Sequence, residues 1–189
     1  MNVDMADMEK FEVKKVAGPI DGGAAVFLAN KNKAFVIFVG INEATAIVKE
    51  LQKQSTIRPL THDLLHNILV GFDIEVKKVI ISKIVDNTFC ATLILEQKVL
   101  DSDGNPTGQR NEVHIDARAS DSVIIALKTG KDIWVTREVY EKVEDVSQQM
   151  ELVQGTSQAP SKKDTWEGAD IEDDVDFEIP DYPPEDDEI

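Results

Sequence analysis

The stretch Ile84-Val85-Asp86-Asn87-Thr88-Phe89-Cys90-Ala91 decides the fold class. Asp and Asn tolerate the left-handed backbone that a two-residue hairpin needs, and here they stand between two apolar-rich runs. The later run, 88–98, sets Phe89, Ala91, Leu93 and Leu95 against Cys90, Thr92 and Glu96. That is the two-residue period of a strand. The run before the turn, roughly 75–85, is its antiparallel partner.

Working upstream, residues 11–16, 23–29 and 33–39 read as strands punctuated by Pro19, Gly22, Gly23, Asn30 and Asn32. After Gly40 the period changes. Ala44, Ile47, Val48 and Leu51 fall on one helical face, with Asn42 placed to cap it. Pro59 biases Arg58 toward extended geometry, and Thr61 is placed to cap a second helix with an apolar stripe of Leu64, Leu65, Ile68, Leu69 and Phe72.

Downstream, 101–108 is a polar loop and 111–117 a strand. A third helix spans Ser120 to about Lys128. A short strand covers Ile133 to Val135, and Thr136 caps a last helix through Tyr140 and Val143. The order predicts an α+β domain over 1–146, a mostly antiparallel curved sheet with covering helices.

The hydrophobic fraction of 42% in 189 residues suffices for one packed core. Charge is concentrated at one end. Of 36 acidic and 20 basic residues, 14 and 2 lie in 148–189, so that segment carries −12 of the net −16. Residues 147–189 are expected to be a disordered acidic tail, with Trp166, Phe177, Ile179 and Tyr182 among the carboxylates. Its roles are solubility, docking on a protein partner, or occupation of the domain's own site.

One cysteine excludes an internal disulfide framework and a cysteine zinc site. No long apolar stretch is present, and Asp4, Asp7 and Glu9 interrupt any secretory pattern, so the expectation is a cytoplasmic protein without membrane contact.

Two polar strings precede apolar helical patterns, Arg58-Pro59-Leu60-Thr61-His62-Asp63-Leu64-Leu65 and Asp116-Ala117-Arg118-Ala119-Ser120-Asp121. Free backbone N–H groups and the dipole at a helix start favour anions such as phosphate. In the second string, alternation turns Val113, Ile115 and Ala117 to the core and leaves His114, Asp116 and Arg118 together on the other face.

Phosphodiester hydrolysis needs carboxylates for a divalent metal, a cation for developing charge and a base. Asp116 and Asp121 are candidates for the first, Arg118 for the second, and His62 or His114 for the third. The same residues also satisfy helix-start physics without a substrate. Arg118 paired to Asp63 or Asp121 would simply tie two helix starts together.

The strings resemble the bifunctional nuclease domain family, which carries an RPLTHDLL-like segment, a TFYA-like strand and an iDARPSDA-like turn. Here these read Arg58 to Leu65, Thr88-Phe89-Cys90-Ala91, and Ile115 to Ser122, with Val39-Gly40-Ile41-Asn42-Glu43-Ala44 similar to the family's IG-x-x-EA element. The likeness extends from about Phe11 to about Val143. Cys90 stands where the family shows Tyr, and Ala119 where it tends to carry Pro.

The resemblance implies a homodimeric nuclease acting on DNA and RNA, with nucleic acid as partner, and the carboxylate chemistry above adds a divalent metal, Mg²⁺ or Mn²⁺, as the expected cofactor. Residues assigned to catalysis are His62, Asp63, Asp116 and Asp121. Substrate contacts are assigned to Arg58, Thr61, Arg118 and Ser120, and the metal to Asp116 and Asp121. The domain shows no basic face of the kind that drives tight duplex binding. The competing reading is a non-enzymatic homodimeric binding or regulatory module that uses the same anion-binding helix starts.

Overall fold

In the computed structural model, which describes residues 7–20 and 22–153, Asp86 and Asn87 both adopt positive φ, 47° and 61°. They form the expected turn between β4 (Ile74–Val85) and β5 (Thr88–Leu100). The chain then passes a short polar loop, in which Asp101 Oδ1 accepts from the backbone N–H groups of Asp103 and Asn105, into β6 (Pro106–Arg118). This strand starts at Pro106, inside the segment read as loop. Its early residues pair with the end of β5, Leu100 with Pro106 and Lys98 with Arg110.

The N-terminal strands are β1 (Met8–Ile20), β2 (Gly23–Ala29) and β3 (Ala34–Gly40), an antiparallel meander. The late strand β7 (Ile133–Thr136) enters between β1 and β4, antiparallel to the first and parallel to the second. One seven-stranded sheet results, in the order β3-β2-β1-β7-β4-β5-β6, so β3 and β6 are its edges. The α+β, mostly antiparallel class holds.

Helices α1 (Ile41–Leu51), α2 (Thr61–Gly71) and α3 (Ala119–Thr129) supply the cover that positions the site. α3 is the central one, burying Ala119, Val123, Ile124, Ile125 and Ala126, and it ends at Gly130, whose φ of 65° is the left-handed cap glycine permits. α1 buries Ala44 and Ile47 against the same core. α2 buries only Leu69, and leaves Leu64, Leu65, Ile68 and Phe72 exposed.

Two expectations about faces and caps change. Val113 and Ile115 do not reach the core; they stay 51% and 41% exposed. Their partners Leu95 and Leu93 are covered, but β6 is the last strand of the sheet and has no neighbouring strand on its far side among the described residues. Asn42, Thr61 and Ser120 are not the cap residues either: α1, α2 and α3 begin after Gly40, Leu60 and Arg118, without a side-chain cap bond. α4 (Arg137–Lys142) does start as expected, with Thr136 Oγ1 accepting from the Val139 N–H.

The expected tail boundary at Ser147 falls on α5 (Ser147–Leu152). Met150 and Val153 pack with Ala17, Ala25 and Phe27, and the Lys15 ammonium donates to the Met150 and Val153 carbonyls. The rest of the acidic segment, 154–189, lies outside the described residues. Among the described residues no helix is long and apolar enough to cross a membrane.

Candidate active site

α3 begins where β6 ends, so Arg118 closes the strand and Asp121 sits in the first helical turn. α2 packs on α3 with its own first turn turned the same way. The two polar strings therefore converge. His62 Nε2 lies 3.0 Å from Asp121 Oδ1. Arg118 grips the same carboxylate as a fork, Nε to Oδ2 at 2.7 Å and Nη2 to Oδ1 at 3.1 Å. Its Nη2 also stands 3.0 Å from Glu43 Oε1 on α1.

Burial works against ionising Asp121, yet the bonds from Arg118 and His62 outweigh it and hold the carboxyl below its ordinary value. The Asp121 pairing in turn raises the Arg118 guanidinium further.

A second cluster adjoins the first. The Lys128 ammonium, on the last turn of α3, lies between Glu50 of α1 and Asp63 of α2. Its bond, with the Leu60 backbone N–H at 2.7 Å from Asp63 Oδ2, depresses the Asp63 carboxyl. Burial lowers the Lys128 pKa, and the two carboxylates more than reverse that. Asp63 thus serves as a first-turn acid and an anchor, and its partner is Lys128 rather than Arg118.

Two hollows meet at His62. One is lined by Lys49, Glu50, Pro59, Leu60, Asp63 and Lys128, the other by Glu43, Lys49, Thr61, Leu65, Arg118 and Asp121. Lys49 borders both and makes no ion pair among the described residues. Neither Lys49 nor Lys128 was among the sequence candidates. The signal was present for both, since each lysine lies in the last turn of a helix, but which carboxylate it would meet depends on helix packing.

Of the remaining candidates, Thr61 lines the groove, whereas Arg58 and Ser120 line neither hollow. His114 pairs with Glu112 at 2.8 Å on the outer surface of the sheet's edge. Cys90 is half-buried and free, in register with Arg118.

The expected metal pair, Asp116 and Asp121, lines one groove. Asp116 borders the groove but is in register with Thr92, on the face opposite Ile115 and Leu93, while both oxygens of Asp121 are engaged by Arg118 and His62. Among the described residues no three His, Cys, Asp or Glu side chains are grouped to hold an ion. The chemistry below is derived from the chain's own groups.

An open α+β sheet carrying a polar cleft between two helix starts is the class that fold and site define. Residues 26–148 match the family model described as Bifunctional nuclease domain, and the chain belongs to that family. Two uncharacterized proteins of Mycobacterium tuberculosis, from strains CDC 1551 / Oshkosh and H37Rv, are each 34% identical to it over 111 residues. Those matches cover 59% of this chain and 59% of each relative's length.

Proposed function

We propose that this chain cleaves phosphodiester bonds of DNA and RNA in the groove at His62. The observation that carries the reading is the His62–Asp121–Arg118 constellation, built from two strings 59 residues apart. Family membership supports the nuclease class, and the geometry supports the roles that follow.

Asp121 accepts the Nε2–H of His62, which leaves Nδ1 as the lone-pair nitrogen. That nitrogen takes the proton from the attacking oxygen, a water for DNA or the ribose 2′-hydroxyl for RNA; as this oxygen bonds to phosphorus, the bond from phosphorus to the leaving ester oxygen breaks, and the leaving oxygen takes a proton from water. The unshared Arg118 N–H donors and the Lys49 ammonium face the non-bridging phosphate oxygens, where negative charge grows in the transition state. The homodimer implied by the resemblance and the cytoplasmic setting expected from the sequence belong to the same reading.

One observation favours the binding-module alternative. Arg118 is already matched by two carboxylates, Asp121 and Glu43, so the groove offers a phosphate little net positive charge. The two readings separate in one assay: cleavage of labelled single-stranded DNA, duplex DNA and RNA by purified protein in Mg²⁺, Mn²⁺ or EDTA, beside His62→Gln. Turnover lost in a folded His62→Gln protein supports the nuclease. Turnover equal in both proteins, or none in either, overturns it, and the EDTA arm reports whether a cation is required.

A further inference from the structure

We infer that β6 is an interface: two copies of this chain pair their β6 strands antiparallel about a two-fold axis at Val113, joining the two sheets edge to edge. That the chain dimerises belongs to the reading above, on which this inference rests; the surface and register are read from the fold.

β6 is thirteen residues long and its outer edge is unpaired in the described structure. Such an edge is a template for another strand, and proteins that keep it single usually blunt it with charges that repel a second copy. Here the charges are arranged to attract one. Arg110, Glu112, His114 and Asp116 lie on one face of the strand, in register with Lys98, Glu96, Ile94 and Thr92.

A two-fold axis at Val113 sets Arg110 opposite Asp116 of the second copy, and Glu112 opposite its His114. Each pair occurs twice by symmetry, and no like charges meet. A cation on Asp116 would be new, since that carboxylate has no ion pair among the described residues.

The other face of β6 agrees. Val113 would meet its own symmetry mate, and Ile115 would meet Asn111. Both apolar residues are exposed now, as are Leu64, Leu65, Ile68 and Phe72 on α2. Leu65 of α2 and Ile115 of β6 line the same groove.

At roughly half exposure each, these six side chains present on the order of 500 Å² of apolar surface. Apolar atoms make up a little over half of a standard interface of about 800 Å² per partner. The two-fold axis runs perpendicular to the joined sheet. Both His62 grooves then open on the same side, flanking the paired strands.

The register can be read directly. In a Cys90→Ser background, oxidation of Val113→Cys should link two chains. Asn111→Cys and Ile115→Cys should each stay uncrosslinked alone and crosslink when mixed. In sedimentation of the full chain, Arg110→Asp and Asp116→Arg should each weaken dimerisation by about tenfold or more, and the double reversal should restore it.

A chain that is monomeric at all concentrations, or a dimer that neither crosslinks at 113 nor responds to the reversals, overturns the proposal. No readout involves cleavage, so failure of the nuclease reading would leave the result intact.

Discussion

His62 Nε2 stands 3.0 Å from Asp121 Oδ1, and that contact ties the first turn of α2 to the first turn of α3. In the proposed mechanism Asp121 orients the His62 base through Oδ1 and holds Arg118 with both oxygens. Removing its charge therefore disturbs the base and the cation together. Asp121→Asn is expected to lower kcat/KM for cleavage by about 10²–10³-fold, the size of a lost base or a lost electrostatic donor. Circular dichroism should show an unchanged fold. A folded variant that cleaves at the native rate would remove this contact from the mechanism.

Lys128 is the structural counterpart. Its side chain is 12% exposed and lies between Glu50 and Asp63, which keep 23% and 28% exposure. Lys128→Met leaves two carboxylates facing each other without a cation. Because both still touch water, the cost is about 2 kcal/mol rather than the larger penalty of a sealed pair. Urea unfolding measures it, and adding Asp63→Asn should recover part of the loss. Recovery would show that the penalty comes from the stranded charges.

Much of this was legible in the sequence. Alternation around Asp86-Asn87 places the central hairpin, the change of period after Gly40 places α1, and the helix starts place His62 and Asp121. What alternation cannot say is whether a face is covered. Val113 and Ile115 alternate as core residues do, yet β6 is an edge, a fact set by the late insertion of β7 between β1 and β4. The caps failed for a related reason. Asn42, Thr61 and Ser120 are good local stops, but the helices begin at the ends of the strand and the extended segment that feed them. The partner of Asp63 depended on the far end of α3, which local spacing does not reach.

Ser122 offers a test of packing without charge. It is fully buried on α3, and its hydroxyl has no hydrogen-bond partner among the described residues. An unpaired buried hydroxyl costs about 1–3 kcal/mol, and Ala has nearly the same volume with better helix propensity. Ser122→Ala should raise stability by about 1 kcal/mol and the melting temperature by about 3 °C. A calorimetric melt decides it. A lower melting point would mean that the hydroxyl has a partner in solution.

The titrating groups give the pH dependence. Asp63 and Asp121 are both held below the ordinary carboxyl value of 3.8 in the folded chain. Their contribution is complete above that value and is lost as pH falls through the lower, folded values. Lys128 is raised above the ordinary 10.5, so its contribution is complete below 10.5 and is lost as pH rises through the folded value. Stability is therefore expected to be flat from about pH 5 to 9 and to fall on both sides.

The variants divide the two limbs. Asp121→Asn should make the acid limb shallower and leave the alkaline limb alone. Lys128→Met should flatten the alkaline limb and, by removing the main cation on Asp63, weaken the acid limb as well. Glu112, pulled to about 2 by Lys77 and His114, lies on the exposed face, where 1 M salt screens its pairs. Urea midpoints across pH in low and high salt separate these terms. An acid limb that Asp121→Asn leaves as steep as before would show that the charge on Asp121 does not stabilise the meeting of the two helix starts.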